Sequence, residues 1–346
     1  MSTHATRAPS RRADYSGFRA TLKLVGTGPR GSRELTPEEA RGALAALLAG
    51  TATDAQAGAF LVASRIKGES AAELAGYGQA LRDANAPLTF SGDRPLVACA
   101  GAYDGARDAP QLSLAAGALA AACGAGIVIH CGPRIGPKYG ITPADVLAAL
   151  GGPGSPSLAE SEAMLGRAGV TVLDTARAVS GWSALLGVRD EVGVRGPVHS
   201  AEKLIDYFGA ERFVVGYTHS PYAGRLLGAL ALLGARRAVA VRGIEGSDVV
   251  RPGRPVAHEL HGPLELPERP GETVRAGGGA ESSAELTRAI LSGAAGGPER
   301  VAVLYSAAIR LYAAGLVHDA RDGLDLADAA ISDGGADATL RALIGS

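Results

Sequence analysis

The chain has 346 residues, 47% of them hydrophobic and 20% charged, with 34 Lys plus Arg against 35 Asp plus Glu for a formal net charge of -1. That composition excludes a disordered polymer, and the balanced charge leaves no global footprint for nucleic acid or an anionic membrane. The length favours two domains, and 4% aromatics beside 49 glycines call for cores of Ala, Leu and Val with closely approaching backbones.

The first stretch, "MSTHATRAPSRRADYSGFRA", is basic and lacks the apolar core of an export signal, so residues 1–16 read as a disordered arm. "LVGTGPRGS", residues 24–32, contains a GTG but not the GxxxxGK[ST] spacing of a phosphate loop, and reads as a flexible connection. "LTPEEARGALAALLAG" then opens a helix: Thr36 caps it, Pro37 suits the first helical position and Glu39 completes a capping box. Similar helices start near Thr53 and Ser70, and residues 17–92 form the expected N-terminal helical domain.

From residue 93 the texture changes. "RPLVACAG", "IVIHCG", "GVTVLD", "RFVVGYTH" and "RAVAVRG" read as buried strands, separated by helical runs such as "LSLAAGALAAACGAG" and "GRLLGALALLGA". The alternation predicts an α/β domain over residues 93–346, a mainly parallel sheet flanked by helices, with a cleft between it and the helical domain. The Pro-rich "RPGRPVAHELHGPLELPERPGETV" reads as irregular or β-rich, and the chain closes in helices. In such sheets ligands sit beyond the carboxyl ends of the strands. The turns after 99, 131, 217 and 242 are therefore the places for a site. No stretch reaches the ~18 uninterrupted apolar residues of a membrane span. Cys99, Cys123 and Cys131 form no CxxC, and an odd count points to reduced thiols and a cytoplasmic protein. No HExxH, GxSxG or zinc spacing occurs.

The phrases "LTPEEARGALAALLAG…TDAQAGAFLVASRIKGESAAELAGYGQALR", "ADVLAALGG", "RGIEGSD" and "AAIRLYAAGLVHDARDGLDLADAAISDGGADATLRALI" resemble the anthranilate phosphoribosyltransferase-like family, glycosyltransferase family 3. The likeness runs from about residue 17 to the end. It implies a homodimer paired through the helical domain. It also implies a cleft that binds phosphoribosyl pyrophosphate with Mg2+ and passes the phosphoribosyl group to a small aromatic or heterocyclic acceptor. The branch is divergent. Where the family has GTGGDG, this chain has Ala100-Gly101-Ala102-Tyr103-Asp104-Gly105. Its NxST becomes Gln111-Leu112-Ser113-Leu114. Its KHGN becomes His130-Cys131-Gly132-Pro133 or, with a one-residue slip, Ile129-His130 onward, and its acidic pair becomes Asp248-Val249.

On that resemblance Tyr103, Asp104, Gly105, Arg107, Ser113 and Lys138 are the candidates for donor phosphates. Arg107 would supply side-chain contacts where Tyr103 denies the close backbone approach that glycine permits. His130, Arg189 and His199 face the acceptor, with Arg189 the counterpart of the arginine for an acceptor carboxylate. Glu245 and Asp248 are the metal candidates, weakened by Val249. Arg195 and Lys203 extend a basic series. The bland readings are a turn dipeptide at Asp104-Gly105 and solvated loop charges elsewhere. The rival function is a non-catalytic protein on the same scaffold that binds a phosphate ligand or nucleic acid, the latter not favoured by the charge.

Overall fold

The computed structural model describes residues 16–268, 272–275 and 277–345, so all but the last residue of the expected arm lies outside the described residues. Helix starts are set by side chains. Thr36, Thr53 and Ser70 cap the helices Pro37–Leu48, Asp54–Lys67 and Ala71–Asp83, each with its reciprocal partner, Glu39, Gln56 and Glu73. Such a cap contributes about 1 kcal/mol by satisfying amides that the helix leaves open. Glu73 does more: fully buried, it also accepts from the Leu35 amide and pairs with Lys67 at 2.7 Å.

A helix that the sequence reading does not separate from the arm, Phe18–Gly26, precedes these. The expected flexible connection is therefore helical through Gly26 and turns only from Thr27. The reason is its apolar face: Phe18 meets Phe60 edge-on at 5.6 Å, and Leu22 and Val25 join the same core. Helices Leu158–Ala168, Trp182–Val192 and Ala280–Leu291 are likewise additions to the elements expected from sequence. The helical layer draws on segments beyond residue 92, since Trp182–Val192 packs on Pro37–Leu48 and Asp54–Lys67, and Val198–Ala201 on Ala71–Asp83.

The larger body is a seven-stranded sheet. Its strands are β1 (Leu96–Ala100), β2 (Gly126–Cys131), β3 (Val170–Asp174), β4 (Arg212–Tyr217), β5 (Arg237–Arg242), β6 (Ala257–Glu259) and β7 (Gly262–Leu264). The order is β3-β2-β1-β4-β5-β6-β7. The first five strands pair in parallel, and the Pro-rich excursion adds the antiparallel edge of β6 and β7. Both faces of β1 are buried, with the period of two that a strand imposes. Val97 and Cys99 enter the core under the C-terminal helices, while Ala98 and Ala100 enter the core shared with the helical layer. The Ser113–Ala122 helix is buried all round, which its run of Ala and Gly permits. All three cysteines are free, and burial pushes the Cys99 and Cys131 thiols up to about 12. No helix among the described residues is long and apolar enough to cross a membrane.

Because β2 and β4 flank β1 on opposite sides, the connections leaving β1 and β4 diverge at a switch point and open a crevice there. The turn after β5 folds back over it. Gly243 and Gly216 make that possible, since a Cβ at either position would overlap the Ser247 backbone. Gly243→Ala is therefore expected to lose about 1–3 kcal/mol through overpacking. A lowered melting temperature measures it, and an unchanged one refutes this account of the turn.

Candidate active site

The turn after β1 is built around a buried carboxylate. Asp104 is 1% exposed and sits between Arg195 at 2.6 Å and Lys138 at 3.3 Å. Its carbonyl accepts from the Gly140 amide, and Gly105 takes a left-handed φ of 76° to close the turn on the Ala102 carbonyl. Gly105 thus shapes the turn by its backbone and lies against Gly140 and Ile141. Glu245, held at a positive φ of 50°, accepts from the Arg107 and Asp108 amides and lies 3.4 Å from Lys138. The loops after β1, β2 and β5 are thereby tied into one anionic-and-cationic cluster.

The Arg107 side chain lies at the edge of this cluster. Its side chain is 62% exposed and pairs with Asp108 at 3.5 Å, so only its amide belongs to the cluster. Adjacent charges in a polar turn find each other across solvent at little cost, whereas Arg195 reaches the buried Asp104 from a distant loop.

Beside this turn the cleft is lined by a stack. The Arg189 guanidinium lies between the Trp182 and Tyr103 rings, 4.8 and 5.1 Å from their centroids, and Tyr103 lies 4.0 Å from the His199 ring. Arg189 Nε donates to His199 Nε2 at 3.2 Å, and its Nη2 donates to Glu202 Oε1 at 3.1 Å. Burial, with Arg189 next to it, holds the His199 pKa well below its usual value, so the ring is neutral, and its Nδ1 lies against both the amide and the carbonyl of Gly196. His130 is also neutral, pushed down to about 4 by burial. Its Nδ1 donates to the Glu202 carbonyl at 3.2 Å, which leaves Nε2 as a buried acceptor without a partner. Burial raises the Glu202 carboxyl, and Arg189 opposes that. Lys203 donates to the Gly216 carbonyl at 2.5 Å, and burial lowers its ammonium to about 8.

Asp248 is locked. It is 1% exposed, pairs with the fully buried Arg310 at 2.5 Å and accepts from Ser113 Oγ at 2.5 Å. Ser113 is therefore spent on positioning this acid. Gly101 admits the contact, since a Cβ there would lie 3.0 Å from Asp248 Oδ1. Among the described residues no three His, Cys, Asp or Glu side chains converge as a metal cage.

Two neighbouring cavities result. The first, about 610 Å³ of empty space with its mouth included, is lined by Tyr103, His130, Trp182, Arg189, Glu202 and Lys203 among others. The second, about 1050 Å³ and more polar, is lined by Arg65, Asp104, Arg195, His199, Thr218 and Glu245 among others. Tyr103 and Lys203 border both. Of the residues singled out from sequence, the structure brings Tyr103, Asp104, His130, Arg189, His199, Glu245 and Asp248 to the walls of these cavities, with Ser113 also lining the first. Lys138 stands behind Asp104 and Glu245. Trp182 and Glu202 line the first cavity and are positions that sequence reasoning misses. A lone Trp gives a signal in a chain with 4% aromatics, but the acid at 202 has none apart from its place in "HSAEKL".

Residues 21–84 match the model of the glycosyl transferase family, helical bundle domain. The chain is 34% identical over 323 residues to an anthranilate phosphoribosyltransferase of Anaeromyxobacter sp. (strain K), covering 90% of this chain and 94% of that one. It is 32% identical over 324 residues to that of Roseiflexus castenholzii, with 90% and 94% covered. Among solved structures, the anthranilate phosphoribosyltransferase of Thermus thermophilus superposes with a TM-score of 0.80 at 29% identity, covering 90% of this chain and 96% of that one. The Saccharomyces cerevisiae enzyme in complex with PRPP and Mg shares the fold, with a TM-score of 0.78 at 18% identity over 94% of this chain and 97% of that one. With its helical bundle, its sheet order and these likenesses over nine-tenths of its length, the chain belongs to the anthranilate phosphoribosyltransferase family.

Proposed function

We propose that the protein transfers a phosphoribosyl group from phosphoribosyl pyrophosphate to a small aromatic or heterocyclic amine. The observation that carries the reading is the cluster of Arg195, Lys138 and Lys203 around the Asp104 turn at the switch point of the sheet. That is where an open parallel sheet binds a phosphorylated ligand, and the polar second cavity has room for it. The donor's phosphates take the Arg195 and Lys203 side, next to Asp104 and Thr218. The acceptor takes the first cavity, against Trp182 and His130. The nitrogen–C1 bond forms as the C1–O bond breaks, the electron pair leaves on pyrophosphate, and the nitrogen's proton goes to a base at the acceptor end. No side chain attacks; the rate comes from positioning and from charge placed where the leaving group develops it.

Magnesium fits this site in a restricted way. Mg2+ typically takes one or two carboxylates and completes its shell with phosphate oxygens and water. Glu245 lines the second cavity with its side chain 19% exposed and is the carboxylate to hold the ion, while Asp248 is consumed by Arg310 and Ser113. Bound there, the ion would neutralise the departing pyrophosphate. Glu245→Ala removes the cap on two amides of the phosphate turn as well, and the KM for phosphoribosyl pyrophosphate is expected to rise by about tenfold or more. Steady-state kinetics of the variant read this directly; an unchanged KM refutes it.

Calorimetry with phosphoribosyl pyrophosphate, with and without Mg2+, tests the donor assignment. Pyrophosphate release with a panel of aromatic amines tests transfer. No heat at millimolar donor overturns the reading in favour of a non-catalytic binding protein. We further propose a homodimer paired through the helical layer, where Ile66 is 80% exposed, and a cytoplasmic home in keeping with three free thiols. A monomer mass by light scattering overturns the former.

A further inference from the structure

Transfer requires the reacting carbon of the donor to meet the nitrogen of the acceptor, and the two cavities share only a short stretch of wall. Among the described residues, Ala102, Tyr103 and Lys203 alone line both. We infer that the Tyr103 hydroxyl, at this shared wall, hydrogen-bonds the ribose of the donor, so that Tyr103 contacts the sugar and not the phosphates. This rests on the phosphoribosyltransferase reading and sharpens its donor site.

With pyrophosphate in the second cavity and the acceptor in the first, the ribose lies between them, against the three shared residues. Ala102 brings no polar side-chain atom, and its carbonyl already accepts from the Gly105 amide. Lys203 brings a cation, which is matched to the pyrophosphate. Tyr103 brings a neutral hydroxyl, which both donates and accepts, as the hydroxyls of a sugar do. Burial, with Asp104 beside it, raises this phenol above its ordinary value, so it stays protonated.

The hydroxyl is also unspent. It is buried and has no hydrogen-bond partner among the described residues. Arg195 stands near it but outside hydrogen-bond geometry, with Nη2 donating to Asp104 at 2.6 Å. A buried polar atom left in this way costs free energy, and a ligand that supplies the missing bond recovers it.

The ring is fixed independently of its oxygen. The His199 ring lies 4.0 Å from its centroid and the Arg189 guanidinium 5.1 Å from it. These contacts hold the oxygen in place before a ligand arrives, and phenylalanine would keep them. The position is glycine in the family pattern GTGGDG, which offers no side chain there, so the contact is this chain's own.

The test removes the oxygen and keeps the ring. Phosphoribosyl pyrophosphate and pyrophosphate, each with Mg2+, are titrated calorimetrically into wild type and Tyr103→Phe, and both proteins are melted without ligand. Tyr103→Phe is expected to melt no lower than wild type, because the free protein leaves the hydroxyl unpaired. It should bind phosphoribosyl pyrophosphate roughly three- to tenfold more weakly, the scale of one neutral hydrogen bond. Pyrophosphate, which has no ribose, should bind with unchanged affinity. Undiminished binding of phosphoribosyl pyrophosphate, or a loss shared equally by pyrophosphate, overturns the inference, while the wild-type heat keeps the transferase reading standing. A lower melting temperature overturns it too, since the hydroxyl would then be bonded within the protein. If wild type gives no heat with phosphoribosyl pyrophosphate, the transferase reading falls and this inference falls with it.

Discussion

Replacing Arg310 with methionine is expected to lower the stability of the protein by about 3–5 kcal/mol, the cost of leaving a buried charge without its partner. Methionine fills much the same volume, so the loss is electrostatic. Asp248 would remain 1% exposed with Ser113 as its only side-chain partner, since the other oxygen is satisfied by Arg310 alone. The neutral double replacement, Arg310→Met with Asp248→Asn, should recover a large part of the loss, because paired removal of a buried ion pair is often near neutral. Thermal unfolding of the three proteins reads the cycle, and a fall of roughly 10 °C is expected for the single variant. If Arg310→Met melts within a degree or two of wild type, Asp248 is not held as described. The functional consequence follows from place. Asp248 sits on the turn that carries Glu245, so loosening it also disturbs the cap on the phosphate turn.

Arg310 also marks the limit of what can be read in advance. Its helix is legible from "AAIRLYAAG", but an arginine between apolar residues reads as a solvated charge until the turn after β5 is folded onto it. The same holds for Arg189 and Glu202, whose pairing depends on two short segments, Trp182–Val192 and residues 198–204, closing over the cleft. By contrast, the strands are legible because they are short apolar runs buried on both faces, and the helix starts because Thr36, Thr53 and Ser70 carry their caps locally. Local signals specify the scaffold and the loops that bear the site. Non-local ion pairs decide which charges meet in the folded site, which is why Asp104 stands out from its motif while its pairing with Arg195, from a distant loop, does not show in the sequence.

Transfer is expected to decline above pH about 8 because of Lys203. Burial lowers its ammonium from the usual 10.5 to about 8, with Glu202, Asp248 and Asp104 opposing the shift and Arg195 adding to it. The amine borders both cavities, so on the proposed placement of the donor its charge would face the pyrophosphate as it gathers negative charge. Values of kcat/KM for the donor report the free enzyme and should fall about tenfold per pH unit on that limb. Lys203→Met should abolish the limb and cost about 10²–10³ in rate, the usual scale for one preorganised charge at a developing anion. Lys203→Arg should carry the activity to higher pH if the fork fits. Stability moves the opposite way. Between pH about 8 and 10.5 the unfolded chain binds the proton at this lysine and the folded chain does not, so this group makes folding more favourable as pH rises. An alkaline loss of activity without loss of melting temperature therefore identifies the ammonium as a working charge. A loss that persists unchanged in Lys203→Met assigns the limb to another group.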